Sequence, residues 1–264
     1  MSTVIYEFSE HVATLTLNRP ESLNALNLAM IDELRALSAR AAFDPEVRVV
    51  ILRGAGDHFM AGGDLKWFRD QLALSPHERQ RCFEELIAVA HASILTLKSM
   101  GKPAIAAVHG AVAGFGMSLM MACDLVMAAD NAYFTLAYSN IALSPDWGAT
   151  LSLPRQVGLK QAMEVALLGE RFAAARALEL GLVNRVLPLA QFPAETQALA
   201  QRLASGPAAA LARTKALLNQ SLGVSLETQL LAEQRAFAAC GADPDFAEGL
   251  AAFFERRPAS YPGA

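Results

Sequence analysis

The chain is poor in cysteine: Cys82, Cys123 and Cys240 are the only three in 264 residues. An odd number, widely spaced and without histidines at short range, excludes a disulfide framework and a Cys/His metal set, and points to a reducing, cytoplasmic setting. Positive charge is also scarce. The 22 Lys and Arg are dispersed among 26 Asp and Glu, for a net charge of -4, so no basic stripe is available to a phosphate backbone and no nucleic-acid partner is expected. The opening MSTVIYEFSEHVATLTL lacks the basic patch, apolar centre and small-residue cleavage site of a secretory signal, and reads as strand. The run PAIAAVHGAVAGFGMSLMMAC, residues 103–123, is long enough to span a bilayer. Gly110, Gly114 and Gly116 divide it into pieces of strand or helix length, so a soluble core and no membrane partner are expected.

With 53% hydrophobic residues, the chain can bury a large core. Period-2 runs at 3–8 and 12–17 around Glu10 and His11 predict an opening hairpin. Leu28, Ile31, Leu34, Leu37 and Ala41 share a helical face, with Asn27 as cap. VRVVILRG at 47–54, a helix over roughly 77–99, strand PAIAAV, a glycine turn, helix GMSLMMAC and strand DLVMAAD follow. Strands alternating with helices predict an α/β architecture. After about residue 190 every apolar spacing is helical, which divides the chain into a core at 1–190 and a helical region at 191–264.

Two glycine-rich places, AGGDL and GAVAGFGMSL, each follow a strand and open a helix. The first amides of a helix lack intrahelical partners and carry the positive end of the dipole, so two such ends facing one cavity can hold an anion. Neither place is a dinucleotide or Walker fingerprint. Read alone, each is a tight connection, and Asp64 reads as the cap of helix LKWFRDQL.

Taken in order, RPESLNALN (19–27), FMAGGDL (59–65), HGAVAGFGMSLMMACDLVMAA (109–129), GATLSLPRQVG (148–158), GLVNRVLP (181–188) and the ending FFERRPASYPG resemble the crotonase superfamily, the enoyl-CoA hydratase and isomerase family. The resemblance covers nearly the whole chain. It implies a spiral core of repeated ββα units and a helical C-terminal region that packs a homotrimer or a dimer of trimers. It also implies an acyl-CoA thioester substrate, with coenzyme A part of that substrate and no separate cofactor or metal. Its carbonyl oxygen is expected between the amides of Gly63 and Phe115, where most relatives have glycine in the second place. CoA contacts are implied at Leu23 and Ala25, from Ala61 through Asp64, Leu65 and Lys66, and at Tyr261.

Hydratases of this family use two glutamates to hold a water. Here their places hold Ser118 and Tyr138. One acid remains nearby, Asp146 in ALSPDWGATLSLPR, at the position where double-bond-moving relatives carry an acid, and it is the expected catalytic base. Isomerisation through a thioester enolate is therefore favoured over hydration. Two further readings stay open on the sequence: a hydratase working with Asp146 alone, and a non-catalytic CoA-binding or assembly protein. Asp146 also reads as the cap of a helix beginning near Trp147, and Tyr138 either as a hydrogen-bond donor in the acyl pocket or as filling.

Overall fold

The computed structural model describes residues 2–261, so Pro262 and Gly263 of the C-terminal motif lie outside the described residues. Strand β1 (Val4–Ser9) pairs antiparallel with β2 (Val12–Leu17), in register from Val4 opposite Leu17 to Ser9 opposite Val12. Glu10 and His11 make the two-residue turn at φ 49° and 64°, a backbone hand that suits the twist of the strands it joins. Beyond β2 the sheet is parallel: β3 (Val49–Gly54), β4 (Ala104–Val108), β6 (Leu125–Ala129) and β9 (Arg185–Leu187) follow in the order β1-β2-β3-β4-β6-β9. Parallel strands covered on both faces read as continuous apolar runs. Alternate residues of β3 accordingly serve different cores, Val50 and Leu52 on one side and Val49 and Ile51 on the other.

The repeated unit is a strand of this sheet, a short strand of a second sheet, then helix. β4 continues into β5 (Ala111–Ala113) and α4 (Phe115–Ala122), and β6 into β7 (Tyr133–Thr135). β5 and β7 pair with each other and, through β7, with β8 (Phe172–Ala173). Met60 joins the second sheet by a bridge to Val112 after β3, which gives the first repeat its short strand. α1 (Leu28–Phe43) starts where Asn27 accepts from the Met30 amide, and packs with α3 (Pro76–Ser99) on the larger core. A capping box between Ser75 and Glu78 starts α3, and α2 (Leu65–Asp70) precedes it.

α5 (Ala149–Val157), α6 (Leu159–Leu168) and α7 (Ala174–Glu179) complete the front. The chain after residue 190 is helical, but its first helix, α8 (Phe192–Ala204), closes the back of the sheet: Phe192, Ala200 and Ala204 pack on Val49, Ile51, Ile105 and Met127. The core thus runs past 190, to Ala204. Helices α9 (Ala208–Gln220), α10 (Leu226–Gly241) and α11 (Pro244–Glu255) stand off from it. Lys215 ties α9 to the sheet, with Nζ 2.7 Å from Asp124 and donating to the Leu97 and Lys102 carbonyls. Phe237, Phe253 and Phe254 are 83%, 76% and 73% exposed, an apolar surface without cover in the single chain.

Candidate active site

The two glycine loops lie back to back. Gly62 sits at φ +99°, and Gly114, which precedes α4, at φ 49° and ψ −118°; both conformations favour glycine. A Cβ on Gly62 would lie 3.8 Å from the Phe115 nitrogen, and one on Gly114 3.7 Å from Gly62 Cα. The Leu26 amide donates to the Gly62 carbonyl and the Asp64 amide to the Leu26 carbonyl, a parallel bridge centred on Gly63. That pairing turns the Gly63 N–H away from Leu26, toward the cavity that Gly63 lines. Phe115 opens α4 and its amide has no intrahelical partner. Among the described residues, neither amide donates a hydrogen bond.

Arg19 knits the rim. It donates to the Ala25 carbonyl at 2.5 Å and pairs with Asp64 at 3.0 Å, while the Ala61 amide donates to the Leu23 carbonyl. Burial alone would raise the Asp64 carboxyl, but hydrogen bonds from Arg19 and from the Lys66 and Trp67 amides outweigh it and hold the group below the usual carboxylate range. Asp64 caps α2 by accepting from Lys66. Buried Asn24 donates to the Ala55 and His58 carbonyls and fixes the loop's base. His58 accepts from the Ala111 amide and His109 contacts the Gly56 carbonyl, so both histidines hold loops in place. Ala61 and Leu65 line the cavity; Leu23, Ala25, Asp64 and Lys66 stand just outside its wall.

Asp146 does not cap a helix. α5 begins at Ala149 after Gly148, with no side-chain cap, because Trp147 and Gly148 take left-handed backbone at φ 53° and 77° and turn the Asp146 side chain elsewhere. It accepts instead from the Tyr138 hydroxyl, 2.5 Å from Oδ1. Ser118 Oγ lies 3.2 Å from the Tyr138 hydroxyl and 3.2 Å from the Asp146 carbonyl. The side chains standing at the two glutamate positions therefore contact each other, and Tyr138 orients the remaining acid. Ala137 and Ala142 also have positive φ, so the segment from 137 to 148 is wound tightly around this contact.

Burial pushes the Asp146 carboxyl above its ordinary value; the Tyr138 hydrogen bond and the field of His91 on α3 oppose that rise. Burial, followed by the Asp146 charge, pushes Tyr138 far above the usual phenol range. Tyr138 is thus the donor of this pair and Asp146 the acceptor. The thiol of Cys123 is buried and pushed up to about 12, chiefly by that burial, which leaves it a packing residue.

The cavity has a volume of about 320 Å³. Gly63, Phe115, Tyr138 and Asp146 all line it, and Asp146 is the one charged side chain among the described residues that do so. Most of its remaining wall is apolar, including Trp67, Phe68 and Phe83, three rings that the sequence reading did not single out. Trp147 packs edge-on to Phe115. Tyr261 is not part of this wall: its ring lies against Gly249 of α11 and its carbonyl accepts from Arg48, because the tail folds back on the C-terminal helices.

Comparison with known proteins gives the family. A family model described as enoyl-CoA hydratase/isomerase matches residues 7–264. A probable enoyl-CoA hydratase of Rhodobacter capsulatus is 40% identical over 99% of this chain and 98% of its own. The 1,2-epoxyphenylacetyl-CoA isomerase of Escherichia coli is 34% identical, over 100% of this chain and 99% of its own. Among solved structures, a putative enoyl-CoA hydratase/isomerase of Mycobacterium abscessus superposes with a TM-score of 0.94 at 31% identity, covering 99% of this chain and 100% of that one. The chain belongs to the enoyl-CoA hydratase/isomerase family, and its fold is that of the crotonases.

Proposed function

We propose that this protein is an enoyl-CoA isomerase that shifts a double bond through a thioester enolate, with Asp146 as its single base. The observation that carries the reading is the pairing of two unpartnered amides, Gly63 and Phe115, with one carboxylate on a largely apolar cavity. Asp146 takes a proton from C2 of a 3-enoyl thioester, and the electron pair moves onto the carbonyl oxygen. Fixed amides stabilise that charge; one such donor is worth about 3–4 kcal/mol. The same carboxyl returns the proton at C4 and the double bond closes between C2 and C3. Tyr138 occupies Oδ1, which leaves the second carboxylate oxygen for the moving proton.

The Arg19-braced rim, with exposed Lys66 beside it, receives the CoA portion. The uncovered apolar side chains of α9 to α11 support assembly into a trimer or a dimer of trimers, checked by mass in light scattering. No described helix is long and apolar enough to cross a membrane, and the proposed location is cytoplasmic.

Hydration is the competing reading, since several relatives are named hydratases. It requires a positioned and activated water, and the partner carboxylate that would share that work is absent: Ser118 and Tyr138 engage each other and Asp146. The test is a pair of initial rates on purified enzyme, 3-enoyl-CoA isomerisation against 2-enoyl-CoA hydration. Isomerisation is expected to be the faster, and the reverse order overturns the proposal.

A further inference from the structure

Trp67, Phe68 and Phe83 form a closed triangle on the cavity wall. Their ring centroids are 5.5, 5.6 and 5.5 Å apart pairwise, with interplanar angles of 63°, 31° and 49°. These are favourable aromatic spacings, and none of the three rings is fully buried. Phe59 and Phe134, which serve the core, are 0% exposed. The triangle therefore presents faces and edges to the cavity that the fold's own packing does not use.

Its position is fixed relative to the thioester site. A Cβ on Gly63 would meet Phe68 Cζ at 2.7 Å, so the tip of one ring rests directly on the residue whose amide points at the carbonyl oxygen. A group carried just beyond that carbonyl comes up against the triangle. The available space also decides something. A cavity of about 150 Å³ suffices to bind benzene, and this one measures about 320 Å³. It holds a ring with room for the thioester end, and a four-carbon acyl chain would leave much of it unfilled. Asp146, the one charged lining residue, belongs to the chemistry, so no cation awaits a second carboxylate at the far end of the acyl group.

We infer that the acyl group this site takes carries an aromatic or unsaturated ring, seated against the Trp67, Phe68 and Phe83 triangle, in preference to a short straight chain. The inference rests on the acyl-CoA reading above and specifies its substrate class. Each such ring contact changes affinity by about 2- to 12-fold.

The test is calorimetric binding of phenylacetyl-CoA, octanoyl-CoA and butyryl-CoA, none of which has a double bond to move, to the protein and to its Trp67→Leu and Phe83→Leu variants. Phenylacetyl-CoA is expected to bind about tenfold more tightly than octanoyl-CoA, which has the same number of acyl carbons. Each variant should weaken phenylacetyl-CoA by about 2- to 12-fold while leaving butyryl-CoA within about twofold. Equal dissociation constants for the ring and the eight-carbon chain, or variants that weaken all three ligands alike, overturn the inference. Binding of none of the three overturns this inference and the acyl-CoA reading together; a ring preference in a protein without isomerase activity upholds this one alone.

Discussion

Tyr138→Phe removes one hydroxyl and keeps the ring in its corner of the cavity. The lost contact is a 2.5 Å hydrogen bond to Asp146 Oδ1. Bonds to an ionised group contribute about 1.5–3 kcal/mol. Burial raises the Asp146 carboxyl, and the Tyr138 bond is the largest influence acting against that rise, so its removal raises the group further. The base works deprotonated, and activity falls as pH drops through its titration. The acid limb of kcat/KM in the variant is therefore expected at higher pH than in the wild type. At neutral pH the loss should be about tenfold or more, since about 1.4 kcal/mol is a factor of ten, and it should narrow as pH rises. Ser118→Ala, which touches the tyrosine hydroxyl but not the carboxylate, should move the limb less. Superposable acid limbs for wild type and Tyr138→Phe would refute the assignment of Tyr138 as the group that holds and tunes Asp146.

Asp146→Asn is expected to stabilise the protein. The folded carboxyl holds its proton more tightly than the unfolded one, so its contribution to stability is present below the unfolded value, about 3.9, and is lost as pH rises through the folded value. The variant should melt above wild type at neutral pH, with the gap closing as pH falls toward about 4; a lower Tm at neutral pH would contradict this. Lys215→Met removes the ammonium from the Asp124 carboxylate, which keeps the Ala104 amide as a donor, at a cost of about 1–3 kcal/mol. In a chain of this size that lowers Tm by about 2–4 °C per kcal/mol, and an unchanged melting curve would show that α9 docks without the pair. Gly62→Ala places a side chain at φ +99°, strain of about 1–3 kcal/mol on the amide loop, and should reduce turnover more than it weakens CoA binding. Equal losses in the two would argue that the loop only binds.

Local signals carried the sequence reading furthest. The hairpin, the Asn27 cap and the two glycine loops each depend on a few adjacent residues, and the structure forms all of them. Placement of α8 was not legible, because an amphipathic helix after residue 190 has the same pattern whether it closes a sheet or a subunit contact. Asp146 read as the expected base and also as a cap; left-handed backbone at Trp147 and Gly148 removes the cap, and a tryptophan gives no hint of positive φ. The Tyr138 to Asp146 contact spans eight residues across a tightly wound segment, with no periodicity to announce it. Trp67, Phe68 and Phe83 lie on two helices, where aromatic residues ordinarily mean core, and only their meeting beside Gly63 distinguishes them. Tyr261 was placed by resemblance alone, and the fold sets its ring against Gly249 of α11.

The central claim is that Asp146 moves a proton at the carbon next to a thioester held by the Gly63 and Phe115 amides. Exchange of that proton measures this without dependence on the final product. Wild-type enzyme in deuterium oxide, given 3-enoyl-CoA, should place deuterium at C2 or C4 above background, in competition with direct return of the abstracted proton by the same carboxyl, read by NMR or mass. Asp146→Asn should bind the thioester and exchange nothing above the uncatalysed background. Exchange by the variant at the wild-type rate would contradict the account and assign the base elsewhere.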